Sequence, residues 1–273
     1  MHRKKKLGFA ALLVLAVGPP HAEASVFHRT HVSRGRQTSG VSLRKRLNVN
    51  DLITEPGTVE IDWGTLYSYT TEALTLPSAL KYTPSGGSLF WGKTEYSVAF
   101  DSVSSAVNAG GRSTQFSDRL TFAATSIVYD SPHFDIAIAP QVTAFLRNDS
   151  GVRIGGTVIG RYDRNGNTLG TTVSWTGASA ASDTNPAGIW DIGAGYGRRV
   201  AASGPLSKIT PHLNWIYERA TGFERTHSGF AGVEYQATEK IAFDVSAQRY
   251  NIVGGTPDRQ VLVSLTVNLG HVR

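Results

Sequence analysis

The chain has 273 residues, 27 basic and 21 acidic, with no Cys and one Met. Without Cys there is no disulfide framework, no thiolate metal site and no cysteine nucleophile. A charged fraction of 18%, a hydrophobic fraction of 40% and a slightly negative mean hydropathy exclude both a disordered polyelectrolyte and a helical membrane bundle.

Residues 1–24 read as a secretory signal. Arg3, Lys4, Lys5 and Lys6 form the positive start, 7–18 the apolar stretch, and Ala22, Glu23 and Ala24 the small-x-small cleavage site. An apolar run of 12 residues falls short of the ~20 that a membrane-spanning helix needs. The mature chain is therefore expected to begin at Ser25, exported from the cytoplasm. Its first part, 25–56, reads as a basic, disordered periplasmic segment. It carries Arg29, Arg34, Arg36, Arg44, Lys45 and Arg46, with no acidic residue before 51. A sharper reading makes it a plug that enters an acidic lumen. Residues 51–273 hold 17 basic and 20 acidic side chains. Basicity thus resides in the leader and the tail, whereas a nucleic-acid protein needs a basic stripe within its fold, so no nucleic-acid partner is expected.

From 57 onward the apolar pattern has period two, in stretches of about ten residues broken by Gly, Pro, Asn, Asp and Ser. Twelve strands are predicted: 57–69, 73–82, 89–100, 119–129, 134–145, 152–163, 168–175, 189–197, 209–218, 227–236, 241–250 and 260–269. Pro77, Pro140 and Pro211 each remove a ladder donor, so bulges or fraying are expected there, and ten strands remain an alternative. In each span the more apolar parity is taken as the outer face and is expected to exclude Asp, Glu, Lys and Arg. A lipid-facing Lys or Arg at mid-membrane costs ~2–4 kcal/mol, which is the physical reason for such an exclusion. If the first strand leaves the periplasm, Tyr82, Phe90, Phe134, Tyr162, Tyr196 and Tyr235 gather at the periplasmic rim. Tyr67, Tyr69, Phe100, Trp175, Trp190 and Tyr217 gather at the other, as two aromatic girdles. Asn165 and Gly166 form a two-residue hairpin signal. The stretches 101–118 and 176–188, rich in Ser, Ala and Gly, read as long external loops. The fold class is all-β: a transmembrane, antiparallel, up-and-down β-barrel of about twelve strands over 57–273, in the outer membrane, with both mature termini periplasmic.

The last forty residues carry a resemblance. Residues 232–244 (GVEYQATEKIAFD), then 254–258 (GGTPD), then 260–270 (QVLVSLTVNLG), together with 54–60 (TEPGTVE), resemble the outer-membrane proteins of the meta-pathway of phenol degradation family. The resemblance implies a channel-like barrel that admits small solutes, aromatic compounds among them, by passive diffusion. Barrel chains of this kind end in an aromatic residue read by the barrel assembly machinery, an expected partner alongside the lipid bilayer. Leu269 stands at that position here, a variant of the signal.

The inner face is the candidate site. Glu60, Asp62, Lys93, Glu95, Arg119, Asp135, Arg153, Arg161, Asp191, His212, Glu218, Glu234, Asp244 and Gln248 are expected to line a pore wall, with Lys81, Asp163 and Asn214 on the same face. These side chains either form a polar, slightly acidic wall or pair into a network that fills the lumen. Eight strands leave room only for side chains and sixteen leave an open channel, so twelve lies where pairing decides. A hydrolase needs Ser within hydrogen-bond reach of His. His31 and Ser33 have a His-x-Ser spacing but lie in the tail, His227 and Ser228 fall on opposite strand faces, and His212 shares its face with Asn214. No catalytic, metal or cofactor-binding residue is therefore assigned, and no enzyme is expected. The alternative function is a structural or surface-binding barrel without an open pore.

Overall fold

The computed structural model describes residues 53–70, 72–85, 93–108, 111–115, 119–146, 151–179, 187–222, 225–250 and 258–271. The expected signal segment 1–24, most of the segment 25–56, the start of the predicted strand at 89 and Phe90 lie outside them. The elements are β1 (Thr58–Ser68), β2 (Ala73–Tyr82), β3 (Thr94–Asn108), β4 (Gly111–Gln115), β5 (Arg119–Asp130), β6 (Phe134–Phe145) and β7 (Val152–Arg164). β8 (Asn167–Ala178), β9 (Gly188–Arg198), β10 (Ile209–Ala220), β11 (Thr226–Thr238), β12 (Ile241–Tyr250) and β13 (Asp258–His271) complete them. A 3-10 turn, Pro205–Lys208, precedes β10.

Every neighbouring pair is antiparallel. β1 pairs with both β2 and β13, and β2 pairs with β3, so the sheet closes into a twelve-stranded barrel. Closure leaves no edge whose N–H and C=O groups face lipid without a partner. β4 is the thirteenth strand of the sheet. It folds back on the far end of β3, with Ser104 opposite Gln115 and Asn108 opposite Gly111. The predicted loop 101–118 is therefore corrected to a strand extension and a β-ribbon in its described part. Its Ser-rich composition hides the strand because a ribbon beyond the apolar band needs no apolar face, and backbone pairing with the hydroxyl bond from Thr114 Oγ1 to Ser105 Oγ (3.2 Å) holds it.

The local rules that shape the other strands hold. Asn165 and Gly166 have φ of 51° and 75°, and Arg164 faces Asn167 across them, the two-residue turn whose twist matches that of its flanking strands. The β2–β3 ladder shifts register between Thr75 and Pro77, and the β5–β6 ladder skips from Gln141 to Ile138 around Pro140. On β10, pairing with β9 begins at His212, one residue past Pro211.

Alternation divides the side chains between two solvents. Ile61, Trp63, Leu80, Val158, Val173, Ile192, Leu213, Val233, Val245 and Val263 are exposed on the outside. So broad an apolar surface is stable only against hydrocarbon. Tyr82, Phe134, Tyr162, Tyr196 and Tyr235 ring the end where the chain enters and leaves the barrel. Tyr67, Tyr69, Trp175 and Trp190 ring the opposite, distal end, and Trp175 lies directly across from Trp190. One expectation about the outer face fails: Arg249, in the apolar parity of β12, is exposed on the outside. It sits at the distal end of its strand, where the cost of a cation drops to about 0–1 kcal/mol.

The depth dependence supplies a test. Val173, midway along β8 and flanked by Val158 and Ile192, faces lipid. Val173→Arg is expected to destabilise the barrel refolded in vesicles by about 2–4 kcal/mol in a denaturant titration. An unchanged midpoint would place this face away from the bilayer core.

Candidate functional site

The lumen face is built by alternate residues of the twelve barrel strands, and three groups of charged side chains organise it. On β1–β3, Lys81 lies directly across from Glu60, and its Nζ approaches Glu60 Oε1 at 3.4 Å and forms a shorter ion pair with Asp62 Oδ2. Thr266 Oγ1 donates to the other Asp62 oxygen at 2.7 Å. All three charged side chains are buried. Beside them the chain preceding β1 folds inward: Ile53 and Thr54 are buried, and the Thr54 N–H donates to the Glu95 carboxylate at 2.7 Å.

The second group spans β10–β12. His212 Nε2 lies 2.5 Å from Asp244 Oδ2, and Asn214 Nδ2 lies 3.2 Å from His212 Nδ1. A carboxylate only accepts, so Nε2 carries the proton and Nδ1 takes the amide of Asn214. The imidazole must cross the intervening β11, and Gly232 makes this possible. A Cβ on Gly232 would lie 2.7 Å from His212 Cε1 and 2.5 Å from Ser246 Cβ. The third group is on β6–β8. Arg161 pairs with Asp163, which accepts a short hydrogen bond from Thr168 Oγ1, and Asp135 lies across the ladder from Arg161. Arg161 is 4% exposed, yet among the described residues its Nε and Nη1 have no hydrogen-bond partner.

Toward the distal end hydrogen bonds between neighbouring strands hold the wall. Ser174 Oγ donates to Asp191 at 2.9 Å, Arg153 Nη1 to Thr176 Oγ1 at 3.3 Å, and Ser68 Oγ to Asp258 at 2.9 Å. Gln248 is buried and Glu218 half-buried on this face, and Glu234 is buried opposite Asp244. Arg119 opens β5 opposite Phe145. Lys93 immediately precedes β3, two residues before Glu95, and is exposed. Asp258 lies outside the predicted strand 260–269 because β13 begins two residues earlier, although 258, 260 and 262 share one parity. Phe230 and Leu262 are also absent from the expected wall, yet both are lumen-facing apolar side chains, 2% and 0% exposed. Their packing narrows the lumen on this side of the wall.

Among the described residues, the lumen-facing carboxylates outnumber the basic groups Lys81, Arg153 and Arg161 about threefold, so the wall carries a negative field that low-dielectric surroundings focus. No group of three His, Cys, Asp or Glu side chains among the described residues is placed to hold a metal ion. The described geometry forms no nucleophile–base pair at His212: both ring nitrogens face Asp244 and Asn214, while the buried Ser246 hydroxyl is not hydrogen-bonded to it. His227 packs outside between Trp215 and Tyr217, at 5.8 and 5.1 Å between ring centroids, and Ser228 is buried inside.

No family model and no curated protein matches this sequence. Solved structures do match its fold. An outer-membrane channel, COG4313 from Pseudomonas putida F1, aligns with a TM-score of 0.58 at 9% identity, covering 81% of this chain and 99% of its own. The KdgM porin aligns with a TM-score of 0.55 at 8% identity, and the NanC porin with 0.54 at 8%. Each covers 77% of this chain, with 99% and 100% of their own chains aligned. The fold is that of porin-like outer-membrane barrels.

Lys81 is the cation that two buried carboxylates share. Lys81→Met is expected to cost about 3–5 kcal/mol of stability, because it strands their charge, and Lys81→Arg considerably less. Gly232→Ala is expected to cost about 1–3 kcal/mol and to shift the His212 ring resonances as the imidazole leaves Asp244. Unaltered histidine spectra in that variant would contradict the packing described.

Proposed function

We propose that the protein is an outer-membrane channel whose narrow, acid-rich lumen admits small solutes by passive diffusion and favours cations over anions. One observation carries this reading: charged side chains are gathered on the lumen face with carboxylates in excess, while the outside is an apolar band between aromatic rims. Energy focused by the wall raises the local concentration of cations and opposes anions. Neutral solutes, including the small aromatic compounds that the resemblance at the C-terminal strands implies, would share the same narrow passage. The pore wall is then Glu60, Asp62, Glu95, Asp135, Asp191, Glu218, Glu234, Asp244 and Gln248, balanced by Arg119, Arg153, Arg161 and His212.

A second reading is favoured by the burial of Ile53 and Thr54. The chain leading to β1 turns into the lumen, where its backbone meets Glu95. The Arg-rich segment 25–50 would extend from this point and close the pore, making the resting barrel non-conducting.

Planar-bilayer recording of the refolded mature chain separates them. The channel reading expects discrete conductance steps, enlarged about twofold or more in Phe230→Ala as the passage widens. The closed reading expects silence that deletion of 25–50 relieves. Silence in the full chain, the deletion and Phe230→Ala together would leave a barrel without a pore.

A further inference from the structure

The outer surface holds one feature that neither a pore nor a lipid-facing wall explains. Arg249 on β12 and Arg259 on β13 are direct cross-strand partners, both exposed and both in the outward parity. Like charges directly opposite one another destabilise a sheet. Among the described residues neither guanidinium meets a carboxylate, and the sequence joining the two strands, 251–257, contains no Asp or Glu. Asp258, next to Arg259 in sequence, faces the lumen and is engaged by Ser68 and Gln260.

The register places these two arginines in a row across five neighbouring strands. Tyr69 donates its backbone N–H to the carbonyl of Arg259, Arg249 lies opposite Gly229, and Gly229 lies opposite Trp215. Tyr69 and Trp215, both exposed, form aromatic walls on either side of the pair. One step toward mid-membrane, Ala247 lies opposite Ala231, both exposed. With Gly229 they make a shallow apolar furrow running from the guanidiniums down the lipid-facing surface, bordered by Leu213.

We propose that this row is the docking site of one anionic, phosphate-bearing lipid of the surrounding membrane, with its phosphate between Arg249 and Arg259 and an acyl chain in the furrow. Two guanidinium forks suit a phosphate, which accepts several charge-assisted hydrogen bonds and removes the repulsion between them. Its depth fits: the arginines stand at the level of the distal aromatic girdle, where lipid head groups lie. A soluble anion would satisfy the arginines equally but would leave the aligned furrow without a role.

The test uses the full chain refolded in detergent, with native mass spectrometry to count retained lipid. Phosphatidylglycerol is expected to remain bound as a single copy, ahead of phosphatidylcholine with the same chains. Arg249→Gln with Arg259→Gln should weaken that binding roughly thirty-fold, at about 1 kcal/mol for each basic side chain lost. Ala247→Phe, which keeps both arginines and fills the furrow, should weaken it as well. All these positions face outward, so the channel conductance of the variants should match that of the unaltered chain, whatever that conductance proves to be. Equal retention by the unaltered chain and the double variant overturns the proposal. Full displacement of phosphatidylglycerol by equimolar glycerol phosphate also overturns it, because it would assign the arginines to a soluble anion.

Discussion

A bilayer core offers no water to a peptide group, and this constraint governs the whole molecule. Each strand must hand its N–H and C=O groups to a neighbour, and the last strand must hand them back to the first. The β1–β13 ladder, continuous from Thr58 opposite His271 to Ser68 opposite Gln260 apart from one bulge, is where that condition is met. Once the ring is closed, period-two geometry leaves no freedom: every second side chain meets lipid and the rest meet the lumen. A one-residue slip at any strand would carry a row of charges into hydrocarbon.

The lumen then concentrates what the outside excludes. Charges crowded into a twelve-stranded interior must be reconciled with one another, and the structure does so in local groups. Lys81 serves two carboxylates, Asp244 holds His212 and Asp163 holds Arg161. Among the described residues basic groups are too few to match the acids, so reconciliation leaves a net negative wall. Stability and electrostatics are therefore linked: the same carboxylates that need partners for folding set the field inside the lumen.

Much of this was legible in the sequence. The predicted strands 73–82, 134–145 and 241–250 coincide with β2, β6 and β12, because lipid enforces alternation over the full length of a spanning strand. Proline positions and the Asn165–Gly166 turn were readable for equally local reasons. Legibility failed where lipid ceases to act. The ribbon formed by the end of β3 and β4 lies beyond the apolar band, so its Ser-rich sequence resembled a loop. Arg249 broke the charge rule at a strand end, where a cation costs little. Lys93 has the parity of a wall residue yet precedes its strand. Partnership across strands was also hidden: nothing in the sequence pairs His212 with Asp244 until the register brings Gly232 between them.

The central claim is that alternation confines charge to the lumen with carboxylates in excess, so that the interior conducts cations in preference to anions. The most direct measurement is the zero-current voltage of the mature barrel in a planar bilayer separating concentrated from dilute potassium chloride. A voltage whose sign is set by potassium diffusion is the predicted result. A voltage of the sign set by chloride diffusion would contradict it.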